Sequence, residues 1–272
     1  MHLSRGIRHF SSSPPSPSTL ASVFSHLVYA RRSGGRLDAS RPVDLETVRS
    51  LVSLTARAPS GFNMQPYTVV LVDDARVRGR VAEGMLGVGN VERTLGAPLV
   101  AVFAADLDAQ SSVAEVQEME ARAGQRSAGY LRSLPVGAAA FSSSQQGGCA
   151  GSAASAVGAA ALSSLSALSG MPLPPLGTPG MAWAYKQTAM AAMVYMLAAT
   201  SLGLATHPME GLDPARVAQA VGLSSSRWSV PLVITTGYPA ALAPEGRGPA
   251  PPTPRRMAVF KHNKASKPFP LE

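Results

Sequence analysis

Residues 58–67, APSGFNMQPY, bring Ser60, Asn63 and Gln65 close together between Pro59 and Pro66. Short hydroxyl and amide side chains spaced like this can donate and accept hydrogen bonds around a polar ligand. The two prolines bar a helix and Gly61 permits unusual backbone angles, so the stretch reads as a stiff loop. Taken alone, it could equally be an ordinary helix–strand connector.

Other chemistries lack their parts. GVGNVE at 87–92 carries only two of the glycines of a dinucleotide-binding turn and follows a helix. There is no Walker loop and no Gly-x-Ser-x-Gly elbow, and His2, His9, His26, His207 and His262 show no zinc spacing. The single cysteine, Cys149, excludes an intramolecular disulfide and a multi-cysteine metal site. No metal is expected. What is left is chemistry borne by a bound cofactor, with the protein supplying binding and electrostatics.

The elements that must position these residues follow from periodicity. A helix is expected from Leu20 to Ala30, ending in ARRSGGR. DLETVRSLVSLTARA puts Leu45, Val48, Leu51, Val52 and Thr55 on one face of a second helix, with Asp44 as N-cap. YTVVLVDD and APLVAVFAAD are continuous apolar runs of the buried-strand type, separated by the helix ARVRGRVAEGML. A helix over 113–134, a central helix over 183–202, the short helix DPARVAQAVG and the strand VPLVITTGYP complete the body. The order predicts an α+β or α/β layered domain.

Between Lys186 and His207 no charge occurs, but Ala, Thr and Ser predominate, which fits a buried helix rather than a membrane span. Met190, Met193, Tyr195 and Leu197 are expected in its core contacts. Residues 137–180 are Ala-, Ser- and Gly-rich without a charge and read as a flexible low-complexity insertion, with a weak Ala-rich helix around 153–168 as the one exception.

The net charge of +8 is concentrated at the ends, with +2 in residues 1–29 and +5 in residues 247–272. The body is near neutral and has no basic–aromatic stripe, so nucleic acid is not an expected partner. MHLSRGIRHFSSSPPSPSTL has no acid and sets Leu3, Ile7 and Phe10 on one face of a short helix, the profile of a mitochondrial targeting sequence over 1–19. Arg8, Phe10 and Ser13 match a two-step trimming pattern with a mature start near Ser18. A disordered basic tail has the same composition.

RRSGGR, APSGFNMQPY, GNVERTLGAPLVAVFAAD, AATSLGLATHPMEGLD and LVITTGYP followed by PRR, in that order, resemble the FMN-dependent nitroreductase family. The resemblance covers most of residues 24–136 and 181–257 within a domain over 20–257, leaving a basic tail over 258–272. It implies an α+β fold with a central mixed sheet flanked by helices and a long buried helix at a homodimer interface. It also implies FMN as cofactor, NADH or NADPH as hydride donor, and a quinone or nitroaromatic acceptor. In such a site Arg31, Arg32 and Ser33, with Arg36 beyond an extra glycine, meet the phosphate and ribityl chain, and Arg255 or Arg256 closes over the phosphate. Pro59, Ser60, Asn63 and Gln65 reach the flavin of the other subunit. Asn90 and Arg93 lie at the pyrimidine edge, and Pro208, Met209, Glu210 and Gly211 at the other, where Glu210 and Gly211 orient the reacting atoms.

A dehalogenating or flavin-cleaving member of the same fold, or a non-catalytic basic binding protein, are the rival readings. Deleting residues 1–17 is expected to leave activity intact and the protein in the cytosol. Loss of activity at an unchanged location, followed by cell fractionation, would overturn the targeting reading.

Overall fold

The computed structural model describes residues 15–33, 36–142, 180–240, 260–261 and 264–265. Met1–Ala240 makes up one compact unit and Ala241–Glu272 a second. In the second, β5 (Phe260–Lys261) pairs antiparallel with β6 (Lys264–Ala265).

The first unit contains β1 (Tyr67–Val72), β2 (Leu99–Asp106), β3 (Ala205–Met209) and β4 (Trp228–Gly237), in the order β1-β2-β4-β3. Every pairing in this sheet is antiparallel, which corrects the mixed sheet that was expected. The difference arises at β3. No strand was expected after the central helix over 183–202, but Gly203 takes φ +75°, the chain turns, and Ala205–Met209 lines up against Gly237–Val233. A glycine in the left-handed region ends a helix readily.

All eight residues of β2 are buried, because helices cover both faces of the sheet. Strand alternation sends Val100, Val102 and Ala104 to one side and Leu99, Ala101 and Phe103 to the other. The first side packs Val81 of α3 (Ala75–Glu83), Val217 and Ala218 of α8 (Pro214–Ala220) and partly buried Val91 of α4 (Val88–Gly96). The second packs Leu51 of α2 (Leu45–Thr55) and Ala191, Tyr195 and Ala199 of α7 (Gly180–Ser201). Within that second core the Tyr195 hydroxyl bonds Thr236 Oγ1 at 2.9 Å, and burial pushes its pKa well above the ordinary phenol range.

Side-chain caps fix where several helices begin. Asp44 accepts from Thr47 N, Asp74 from Arg76 N and Val77 N, and Asp213 from Ala215 N and Arg216 N. Ser16 caps α1 (Pro17–Ala30), three residues ahead of the expected start. The bonds from Thr47 hold the Asp44 carboxyl below its usual pKa. That cap is therefore fully present above the ordinary carboxylate range and is lost as pH falls through the lowered value.

Four further expectations are corrected. The helix over 113–134 is two helices, α5 (Val113–Ala123) and α6 (Ala128–Ser142), because Gly124 takes φ +66° and caps the first. The insertion does not begin at 137, since α6 continues to Ser142 with Leu134 and Ala138 buried against Trp183 and Ala184. Residues 143–179, with Cys149 and the weak Ala-rich helix, lie outside the described residues. Leu45 and Val52 are exposed, so the buried face of α2 is only Leu51 and Thr55, and Met193 is exposed on α7 rather than in the core. Among the described residues no helix is long and apolar enough to cross a membrane.

The β2–β4 pairing is locked at its end by Asp106, whose carboxylate accepts from Arg227 Nε at 3.0 Å and Nη2 at 2.7 Å. Asp106 is 6% exposed and Arg227 42%, so removing the arginine strands a buried charge while the arginine itself gives up little. Arg227→Ala is expected to cost about 2–3 kcal/mol in urea unfolding, below the range for a fully buried pair because the arginine is partly exposed. A loss below about 0.5 kcal/mol, the scale of ordinary surface substitutions, would show that the pair does not secure the strand ends.

Candidate active site

The residues singled out from sequence fall into three groups, each built by a different pair of elements. The first lies where the chain leaves α1. The Arg31 amide closes the last helical turn on Leu27 O, and Arg31 Nη1 donates to Ser33 Oγ at 3.3 Å. A few residues on, Leu37 bridges to Pro239, Asp38 N donates to Tyr238 O, and Ala240 N donates to Arg36 O. These bonds hold Arg36 beside the exit of β4. Arg41, which was not expected to matter, stacks its guanidinium 3.4 Å from the Tyr238 ring centre on the same segment. An Arg–Tyr pair so far apart in sequence carries no local signal. Arg255 and Arg256 lie outside the described residues, as do Gly34 and Gly35.

The second group joins α4 to the turn after β3. Leu86 N donates to Gly211 O, Asp213 N donates to Gly84 O, and Met85 bridges to Leu212. Asn90 Nδ2 reaches Leu86 O at 3.0 Å and Gly211 O at 3.4 Å, so Asn90 and Gly211 are in direct contact, although the resemblance assigns them to different edges of the ring. A Cβ on Gly211 would come 2.7 Å from Asn90 Nδ2, so a side chain there would have to displace the Asn90 amide. Arg93 is exposed one turn further along α4, its guanidinium lying over Gly89. Glu210 is exposed and Pro208 half-buried, whereas Met209 is buried in the core, so its backbone rather than its side chain faces the site.

The third group is the 58–67 loop. It is irregular, with a 3-10 turn over Gly61–Asn63 between α2 and β1. Phe62 and Asn63 take φ +55° and Gln65 φ +45°, three left-handed residues that carry side chains. Each such residue costs on the order of 1 kcal/mol and persists only where its surroundings hold it. Ser60 Oγ accepts from Gln65 N at 2.9 Å, and Gln65 Nε2 donates to Asn63 Oδ1 at 3.2 Å. Gly61 N donates to Gln187 Oε1 of α7 at 2.8 Å, and Asn63 Nδ2 to Glu120 Oε1 of α5 at 2.9 Å. Pro59, Asn63 and Gln65 are exposed.

The first two groups sit at opposite ends of the β3–β4 pair. Ala205 and Gly237 mark one end, near the Leu37–Pro239 bridge, and Met209 and Val233 mark the other, near Gly211. Five residues of strand separate them, about 17 Å at the usual rise. Cations at one end and close-packed backbone at the other suit an elongated ligand with an anionic tail and a flat head. Asn63 and Gln65 belong to neither cluster.

The sequence profile described as the Nitroreductase family matches residues 5–238. The chain belongs to the nitroreductase family. This is a family of oxidoreductases, and its match begins within the segment read as a leader. Among curated proteins the chain is 28% identical over 200 residues to an NADH dehydrogenase of Thermus thermophilus, covering 73% of this chain and 78% of that one. Among solved structures it resembles a Bacillus subtilis protein described as a nitroreductase, at 21% identity and TM-score 0.64, over 86% of this chain and 96% of that one. It also resembles an Exiguobacterium sibiricum nitroreductase solved in complex with FMN, at 18% identity and TM-score 0.59, over 83% and 93% of the two chains. The two structures establish the fold. All three relatives are bacterial, which lends no support to a mitochondrial leader.

Gly211→Ala is expected to push the Asn90 amide off its two carbonyl acceptors and cost about 1 kcal/mol, the worth of a lost hydrogen bond. Combined with Asn90→Ala, the added methyl meets only ordinary contacts with Leu86, so the double variant is expected to be no less stable than Asn90→Ala alone. Fully additive losses in urea unfolding would show that the two residues do not pack on one another.

Proposed function

We propose that this nitroreductase-family protein is a homodimeric FMN-dependent oxidoreductase that passes a hydride from NADH or NADPH to a quinone or nitroaromatic in a ping-pong cycle. The observation that carries the reading is the Asn90–Gly211 contact: a Cβ at Gly211 would displace the Asn90 amide from its two carbonyl acceptors, and glycine leaves backbone to face a flat ligand. When bound, FMN supplies the two-electron chemistry, taking hydride from the nicotinamide and giving it to the acceptor.

The chain's own residues bind and orient. Arg31, Arg32, Ser33 and Arg36 hold the phosphate and ribityl end, where guanidinium–phosphate pairing is strong. Asn90 and Arg93 face the pyrimidine edge, where a cation favours the electron-rich form. Glu210 and Gly211, approached by Pro208 and the Met209 backbone, orient the opposite edge. Pro59, Ser60, Asn63 and Gln65 serve the site of the partner subunit from a loop whose order is set before any ligand arrives. No side chain acts as nucleophile.

The homodimer is supported by the surface of α1. None of its residues is buried, and Leu20, Val23, Phe24 and Tyr29 are all more than half exposed. With Leu45 and Val52 of α2 they leave apolar surface that a second copy would cover.

The purified chain is expected to be yellow, to bleach on anaerobic titration with NADH, and to recover its colour when a benzoquinone is added. A colourless chain that takes up no FMN would overturn the reading and favour a non-catalytic binding protein. A flavin that bleaches but does not recover would refute the acceptor class alone.

A further inference from the structure

Among the described residues only two carboxylates are buried, Asp106 and Glu120. A buried charge is costly unless its partners repay it, so each is expected to hold something in place. Asp106 holds β4. Glu120, on α5, reaches out of its own helix and divides its two oxygens. Oε1 accepts from Asn63 Nδ2 at 2.9 Å, and Oε2 from Arg126 Nε at 3.3 Å. Arg126 also lies 5.0 Å from the centre of the Tyr130 ring on α6, which ties the cation to the next helix.

The residue that Glu120 grips is in the middle of the left-handed run Phe62–Asn63, and Gln65 in turn donates to the Asn63 side chain. The exposed loop is therefore anchored from below at two points, Gln187 under Gly61 and Glu120 under Asn63. The Glu120 bond is the charge-assisted one, so it is the stronger anchor. One hydrogen of the Asn63 amide is committed inward to Glu120 and cannot at the same time serve a ligand. Asn63 thus shapes the loop as much as it contacts anything beyond it.

We infer that Glu120 is a positioning residue: its carboxylate, balanced by Arg126, holds the 59–65 loop through Asn63 in the conformation that receives the cofactor. The identity of the cofactor rests on the function proposed above; the anchoring of the loop does not. α5 and α6 thereby act on the site without touching it.

The test uses the full-length chain. Without added cofactor, Glu120→Ala is expected to speed amide exchange at Asn63, Met64 and Gln65 at least about tenfold while β2 and β4 stay protected, since a roughly 1.4 kcal/mol loss corresponds to a factor of ten. Glu120→Gln keeps an acceptor for Asn63 and is expected to restore most of that protection. With FMN titrated by fluorescence, Glu120→Ala is expected to raise Kd about tenfold or more, but less than about twofold further in an Asn63→Ala background. Tyr195→Phe, which breaks a core bond to Thr236 instead, is expected to lower stability and leave both readouts unchanged.

Unchanged loop exchange in Glu120→Ala overturns the inference, and so does an effect on Kd that adds fully to that of Asn63→Ala. If Glu120→Ala does not fold, Asn63→Ala removes the same bond from its exposed end, and unchanged loop exchange there overturns the inference equally. A wild-type chain that binds no FMN overturns the flavin reading, while the exchange measurement still decides for or against Glu120.

Discussion

The architecture depends on β2 being buried along its whole length. A strand covered on both faces must satisfy its backbone entirely through its two neighbours, so β1 and β4 are both required before either helical layer has a surface to pack on. The small side chains Ala101, Ala104 and Ala105 let those layers approach closely, and Phe103 fills the wider space beneath α7, edge-on to Tyr195. The register slips between Phe103 and Ala105, and Ala105 then faces a third cluster with Met64, Val116, Leu134 and Trp183. That slip carries the core around the end of the sheet, to the place where the loop before β1, α5 and α6 meet.

The site groups are consequences of this frame. β4 runs antiparallel to both β2 and β3, so its exit carries Tyr238–Ala240 back to the segment after α1, while β3 ends at the opposite side against α4. The arginine-bearing segment after α1 and the Gly211 turn are thereby set a strand length apart on rigid elements. The loop before β1 is different in kind. It has no ladder of its own and is shaped by side chains from helices far along the chain.

Much of this was legible in the sequence, and the limits have physical causes. Continuous apolar runs announced β1, β2 and β4, the acidic N-cap Asp44 placed the start of α2, and the stretch DPARVAQAVG placed α8 to within a residue or so. β3 was missed because His207 and Pro208 interrupt any apolar run and its five residues follow a long helix with only Gly203 as a stop. Asn90 and Gly211 were placed in one site by family resemblance, but their direct contact is seen only in the fold. Glu120 carried no signal at all: on a helix rich in Glu and Arg it looks like one more solvated charge, and only the fold shows that it is 7% exposed and aimed at Asn63.

The left-handed residues of the loop also bear on how this chain can drift. Exposed positions usually tolerate almost any side chain, because nothing packs on them. Positions 62, 63 and 65 are at most half-buried, yet their backbone admits glycine, asparagine or aspartate readily and works against valine, isoleucine and threonine. Here accessibility and freedom to vary part company: the peptide backbone restricts substitution in addition to the packing of Phe62 on the core and the bond from Asn63 to Glu120. Homologues that keep this loop shape should show a narrow, β-branch-free choice at three positions open to water.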